Sequence, residues 1–353
     1  MTQRDGPIAG TGLAGHEHGG KGHVLEPRKS RDTIVVGTSS GGVDALCAIA
    51  KRLPANLPAA VLVVLHIGSN DSILPSMLQK AGPLRADHAR DGEPLEPGRI
   101  YVAPPDRHLV VTDGVAKTVR GPKENFARPA IDPLFRSAAV ARGARVIAAI
   151  LTGQLDDGTA GFAAVRACGG LTIAQDPADA FAPEMPRNAM RYTPPDYILA
   201  ANEIGAMLGA LAGSPVPESV PPCPAGLVAE NHAILAPESI EKMPEKVAQP
   251  SSLTCPECGG TLWRMDEAGP PRYRCHTGHA FSLESLGAAT DQVVEGAISE
   301  ALRALHEKSA QSKLRAAYHS RLGETVDAER RLSEARRAEA SARALEKLLR
   351  GEE

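Results

Sequence analysis

Aromatic residues make up only 3% of the 353-residue chain, too few for a surface that stacks nucleic-acid bases. An excess of one charge is also missing. The formal net charge is −3, which argues against a polyanionic partner held by a general basic field. No apolar run reaches the roughly 18 residues of a membrane span, and the opening MTQRDGPIAGTGLAGHEHGGKGH has no apolar centre of a signal peptide. A cytoplasmic protein without membrane insertion is expected. Cysteine is sparse, six in all, which excludes a disulfide scaffold. Three of the six have metal-site spacing, which suits a reducing compartment. What is present is core material, 42% of the residues being hydrophobic. At about 100–200 residues per domain, the length suggests two domains or one with an appendage. The 34 glycines and 29 prolines point to many turns between short elements, as in an α/β protein.

Residues 1–31 are rich in Gly, His and charge and lack hydrophobic periodicity. They are expected to form a disordered arm, with His16, His18 and His23 as part of a polar leader rather than metal ligands. From Thr33 the pattern changes. TIVVG (33–37) is a short apolar run, followed by SSGG and then by helical spacing in VDALCAIAKRL (43–53). This is the opening of a βα unit. AAVLVVLH (59–66) is apolar throughout, as in a parallel strand covered on both faces. Further strands are expected at RIYVAP (99–104), HLVVT (108–112), ARVIAAILTG (144–153) and LTIAQ (171–175), with a helix at TAGFAAVRACGG (159–170). The alternation implies an α/β fold with a doubly wound, mostly parallel sheet and its chemistry at the carboxyl ends of the strands.

The expected division is an arm over 1–31, a catalytic domain over 32–212, a Pro-rich linker over 213–252, a zinc-ribbon-like segment over 253–282 and a helical region over 283–353. In the last of these, Leu286, Val293, Ala297, Ala301 and Leu305 recur at helical spacing and Gly323 is the expected break. One or two long helices should pair with each other or with a partner chain.

Three motifs end apolar strands. Gly37-Thr38-Ser39-Ser40-Gly41-Gly42 satisfies G-x-S-x-G, in which small neighbours let a serine hydroxyl stand exposed on a sharp strand-to-helix turn. The same turn can instead cradle a phosphate. His66 closes the second strand, next to the first, and Thr152-Gly153-Gln154-Leu155-Asp156-Asp157-Gly158 follows a third. Asp-Asp-Gly alone reads equally as a turn or helix cap. A serine, a histidine and an aspartate at three strand ends of one sheet point together to nucleophilic catalysis. Their order, Ser, His, Asp, differs from the Ser, Asp, His order of α/β-hydrolases.

GTSSGGVDAL (37–46), His66, IYVAPPDRHL (100–109), ARPAIDPLF (127–135), ILTGQLDDGTAG (150–161) and MPRNAM (185–190) occur in that order. Over roughly residues 32–210 the series resembles the catalytic domain of the chemotaxis receptor protein-glutamate methylesterases, the CheB-type family. The resemblance implies a serine carboxylic-ester hydrolase. Its substrates would be glutamate γ-methyl esters on a chemoreceptor-like partner, in chemosensory adaptation. No cofactor would be needed for catalysis, and the same machinery can deamidate glutamine. It also implies Ser39 as nucleophile, His66 as general base and Asp157 as orienting carboxylate. Ser40, Gly41, Gln154, Arg128 and Arg187 are the implied cleft residues. Backbone N–H groups between Ser40 and Gly42, or at Gln154, are the expected oxyanion donors.

The chain departs from the family at several positions. Gln154 and Asp156 stand where a methionine and an asparagine are usual, which makes Asp156 a rival for the aspartate role, and Ile67-Gly68 replaces Met-Pro after the histidine. About 31 polar residues before Thr33 are too few for the phospho-receiver domain of many such enzymes. The alternative reading is a catalytically idle scaffold that binds receptors or a signalling kinase.

Cys255-Pro-Glu-Cys258 and Cys275-His-Thr-Gly-His279 supply four ligands, the set that a tetrahedral zinc requires. With no open position, the metal is expected to be structural. His276 is a rival for the fourth ligand. The ribbon and the helices behind it are expected to act as a docking or regulatory module for partner signalling proteins, separate from the esterase chemistry. Cys47, Cys168 and Cys223 are read as core or incidental residues.

Overall fold

Apolar runs without polar alternation end up in the middle of a sheet, buried on both faces. In the computed structural model, which describes residues 29–235, 248–265 and 269–351, every residue of TIVVGT and of AVLVVL is buried. The first ten strands are β1 (Thr33–Thr38), β2 (Ala60–Leu65), β3 (Arg85–His88), β4 (Glu93–Pro94), β5 (Arg99–Val102), β6 (His108–Thr112), β7 (Val115–Val119), β8 (Val146–Ile150), β9 (Leu171–Gln175) and β10 (Tyr197–Leu199). Seven of them form one sheet in the order β10-β9-β8-β1-β2-β5-β3. All its pairings are parallel. HLVVT is a strand as expected, and it pairs with β7 in a small antiparallel sheet of order β4-β7-β6.

Helices cover both faces. Alternate strand residues, Ile34, Val36, Val61 and Val63 among them, pack with Leu46 and Ile49 of α1 (Gly42–Arg52), Leu78 of α2 (Leu74–Ala81) and Leu208 of α6 (Ala201–Leu211). The opposite set, including Val35, Leu62, Val64 and Ile150, packs with Leu134 and Phe135 of α3 (Ile131–Arg142), Phe162 of α4 (Thr159–Ala167) and Met185 of α5 (Glu184–Tyr192). The strand order reverses at β1, between β8 and β2. In open α/β sheets that crevice, beyond the carboxyl ends of the strands, is where ligands bind.

The linker is more ordered than its proline content suggests. Helix α7 (Ala225–Leu235) packs on α3, with Leu227 in the core and Glu230 buried. The last strands begin inside the expected linker, at β11 (Ala248–Thr254). They continue as β12 (Thr261–Met265), β13 (Arg272–Cys275) and β14 (Ala280–Ser282), an antiparallel sheet in sequence order. Residues 1–28 of the expected arm and 236–247 of the expected linker lie outside the described residues, while the end of that arm is not free: Ser30 bridges to Pro215 and buried Arg31 donates its N–H to Ser214 O. Cys168 and Cys223, read from sequence as separate core or incidental residues, are joined in a disulfide. It ties the Pro-rich segment to the end of α4, and their 55-residue separation left no local signal for it.

The chain ends in α8 (Leu283–Arg321) and α9 (Thr325–Arg350), broken at Gly323 as expected. They pair with each other as an antiparallel hairpin along a seam of small residues, Ala316, Ala328, Ala335, Ala338 and Ala342. Lys313 and Ser309 both reach Glu339 across it. Among the described residues no helix is long and apolar enough to cross a membrane.

Candidate active site

The ends of three adjacent strands, β8, β1 and β2, converge on one histidine. Ser39 follows β1, His66 follows β2, and Asp157 lies on the turn between β8 and α4. His66 Nδ1 lies 3.2 Å from Ser39 Oγ, and Nε2 lies 2.7 Å from Asp157 Oδ2. An ionised carboxylate only accepts hydrogen bonds, so the imidazole carries its proton on Nε2. The Nδ1 lone pair therefore faces the serine hydroxyl.

Local chemistry explains each placement. Gly41, at φ 77°, turns the chain from β1 into α1, in a backbone region costly for residues with a Cβ. Gly158, at φ 90°, does the same between Asp157 and α4. Thr152 braces the serine turn. Its carbonyl accepts from Ser39 N–H at 2.9 Å and from Thr38 Oγ1 at 2.9 Å, and its hydroxyl donates to Ser40 O at 2.8 Å.

Asp157 is buried and meets four donors. Oδ2 accepts from His66 and from Ile131 N–H at 2.6 Å, and Oδ1 from Asn125 Nδ2 at 2.9 Å and Asp132 N–H at 3.3 Å. Burial alone would raise its pKa. The bond and charge of His66, the Ile131 N–H and the Asn125 amide outweigh that and hold it below the usual carboxylate value. Asp156 points elsewhere, its Oδ1 accepting from Ser282 Oγ at 2.6 Å. Burial pushes its carboxyl up to about 6. Only Asp157 reaches the imidazole.

A cleft of about 450 Å³ opens over Ser39, His66 and Asp157, and Gln154 and Arg128 are among its lining residues. Ser40, Gly41 and Arg187 are not, and Arg187 is exposed on α5. Arg128 is committed to the scaffold. Its Nε and Nη2 donate to Asp106 Oδ1 and its Nη1 to Gly121 O, while Asp106 N–H donates to Gly68 O at 2.9 Å. Arg128 therefore anchors the loop behind His66. Of the expected oxyanion donors, the Gly42 N–H is already spent on Ser39 O. Sequence reading missed Thr152 and Asn125. The signal for Asn125 lay two residues before the ARPAIDPLF stretch, at φ 48°, a left-handed position that asparagine tolerates.

A second cluster lies in the C-terminal sheet. Ligand atoms of Cys255, Cys258, Cys275 and His279 lie within 4.8 Å of one another. Bond lengths of about 2.3 Å to sulfur and 2.0–2.1 Å to nitrogen in a tetrahedral site place sulfurs about 3.8 Å apart and sulfur and nitrogen about 3.6 Å apart. The observed separations are 3.7 Å for Cys258 to Cys275, 3.7 Å for Cys255 to His279 and 3.6 Å for Cys275 to His279. The four residues fit a tetrahedral ion. His276 stays outside the cluster, with its ring against Gly260.

Residues 34–208 match the profile of the CheB methylesterase family. A putative protein-glutamate methylesterase/protein-glutamine glutaminase of Leptospira interrogans is 35% identical over 178 residues, covering 50% of this chain and 92% of that protein. The chain belongs to the CheB methylesterase family. Within it, the protein-glutamate methylesterase/protein-glutamine glutaminase 3 of Anaeromyxobacter dehalogenans is 44% identical over 179 residues, 50% of this chain and 52% of that one. The chain thus spans about half the length of some relatives and nearly all of others. The crystal structure of the Thermotoga maritima CheB methylesterase catalytic domain matches with a TM-score of 0.50 and 34% identity, over 52% of this chain and 100% of that one.

Proposed function

We propose that the protein is a cytoplasmic serine methylesterase that hydrolyses glutamate γ-methyl esters on a chemoreceptor-like protein. The observation that carries this is His66, held between Ser39 Oγ at 3.2 Å and Asp157 at 2.7 Å over an open cleft. Ser39 gives its proton to His66 Nδ1 as Oγ attacks the ester carbonyl. The tetrahedral oxyanion collapses, and methanol leaves with the proton from Nδ1. Water then enters by the same route, losing a proton to Nδ1 and releasing the glutamate carboxylate and the serine.

Asp157 keeps the imidazole protonated on Nε2 and balances the imidazolium charge. The backbone N–H groups of Ser40 and Gln154 are the assigned oxyanion donors, beside the serine and at the cleft. A glutamine side chain can follow the same path with ammonia as the leaving group, an activity that the names of the relatives include. We assign zinc to Cys255, Cys258, Cys275 and His279 as a structural ion, and assign the exposed apolar residues of the helical hairpin, Leu314, Tyr318 and Val326, to partner docking.

A fluorophosphonate probe tests the reading. Labelling of the wild type that is lost in Ser39→Ala is the expected result. No labelling of the wild type would favour an idle scaffold.

A further inference from the structure

The C-terminal Cys/His sheet does not sit apart from the esterase. Its last strand lies against the segment that holds the catalytic aspartate, and one side chain joins them. Asn125 is buried. Its Nδ2 donates to Asp157 Oδ1 at 2.9 Å and to Asp132 Oδ2 at 3.1 Å. Its Oδ1 accepts from Ser282 N–H at 2.9 Å and from Ser285 Oγ at 2.8 Å, and its own N–H donates to Ala280 O at 2.8 Å. Both amide hydrogens therefore face the esterase and both oxygen lone pairs face the C-terminal unit. The partners fix this orientation, since carboxylates accept and an N–H donates.

Neighbouring contacts bind the same two parts. Ser282 Oγ donates to Asp156 Oδ1 at 2.6 Å. The rings of Phe126 and Phe281 meet edge to face at 5.7 Å. Arg274 donates to Glu124 at 2.8 Å and to Gly278 O at 2.9 Å, inside the turn between Cys275 and His279. Arg136 of α3 meets the other oxygen of Glu124 at 2.6 Å. Arg272 grips Glu230 of α7 at 2.8 and 2.5 Å. These charged groups are buried, so losing any partner leaves an uncompensated charge in the interior.

The strand that bonds to Asn125 begins one residue after His279. A four-stranded sheet of this size has little core of its own, its buried apolar cluster being Cys255, Leu262, Cys275, Phe281, Leu286 and Ala289. Ligation must therefore supply much of its order. We propose that Asn125 is a positioning residue for Asp157 and that the metal-bound Cys/His unit, through β14 and Ser285, holds Asn125 in place, so that metal loading of the C-terminal unit controls the esterase. This rests on the Ser39–His66–Asp157 reading. It reverses the expectation that the ribbon is separate from the chemistry.

The test uses the full chain, a small ester substrate and zinc itself. Removing zinc with a strong chelator should change the fluorescence of Trp263, the single tryptophan, which lies on β12. In parallel kcat should fall about tenfold or more with KM nearly constant, and zinc should restore both. The double variant Ser282→Ala/Ser285→Ala should keep its zinc and its Trp263 signal yet show the same loss of kcat. The acid limb of its pH profile should move upward, because Asp157 holds its charge less well once Asn125 loses the Ser285 hydroxyl and keeps from the C-terminal unit only the backbone contacts to Ser282 N–H and Ala280 O. If chelation aggregates the protein, the zinc-loaded double variant decides. A changed Trp263 signal with unchanged kcat and pH profile, or a double variant as active as wild type, overturns the coupling. Ser39→Ala is the control for the underlying reading, since activity surviving there would overturn the serine assignment instead.

Discussion

The carboxylate of Asp157 accepts the Ile131 N–H at 2.6 Å, which places it on the first turn of α3. A helix N-terminus favours negative charge by about 0.3–1 kcal/mol at exposed sites and more when partly buried. The helix therefore stabilises the ionised form of the aspartate that meets His66 Nε2. Asp157→Asn should lower kcat on the order of 10³–10⁴-fold through the wrong tautomer. Asp156→Asn should leave it within a few-fold. Steady-state kinetics on a small ester checks both, and a severe Asp156 variant with a mild Asp157 variant would contradict the assignment.

Asp156 also makes a prediction about stability. Its carboxyl is raised from 3.8 to about 6 by burial, with Asp157 and Glu284 adding to the effect. A raised value means that the native state prefers the proton. The stabilising contribution is complete below about pH 4 and is lost as pH rises through 6. The span corresponds to roughly 3 kcal/mol. Asp156→Asn keeps an acceptor for Ser282 without the charge. Its melting temperature should match the wild type near pH 4, exceed it increasingly as pH rises from 4 to 6, and keep a constant excess above that. Melting curves that stay parallel from pH 4 to 8 would rule this out.

Phe181 is 82% exposed and stands against Gly41 at the serine turn. An aromatic ring left bare beside a cleft gains by covering a protein substrate, at about 1.5–3 kcal/mol for a large apolar side chain. Phe181→Ala should raise KM for a methylated receptor fragment about tenfold or more while kcat/KM for a small ester stays within twofold. Equal losses on both substrates would move Phe181 from substrate docking to support of the serine turn.

The cysteine cluster should hold about one zinc per chain in purified protein, because its spacing supplies one tetrahedral set. Cys258→Ser should lose most of that metal and become sensitive to protease within residues 248–282. Full metal content in this variant would point to a different ligand set.

Much of this was legible in the sequence. TIVVG, AAVLVVLH and LTIAQ are buried strands because nothing in them alternates, and the Gly-rich turn, His66 and the Asp-Asp-Gly turn lie at neighbouring strand ends as a doubly wound sheet requires. What was not legible depends on contacts between distant segments. Asn125 bonds to Asp157, 32 positions away, and to Ser285, 160 positions away. Neither partner leaves a local pattern. HLVVT reads as a core strand because its burial is real, yet its pairing with β7 cannot be seen in its own five residues. Arg128 lines the cleft as its motif implied, but the motif does not show what holds its guanidinium. Its donors belong to Asp106 and Gly121.

The central claim is ester hydrolysis at Ser39, and methanol release from a methylated receptor fragment measures it directly. Wild-type protein should release methanol in proportion to the glutamates demethylated. Ser39→Ala should release none above background while melting at nearly the wild-type temperature. Methanol release by a folded Ser39→Ala protein, or none by the wild type, would contradict the account.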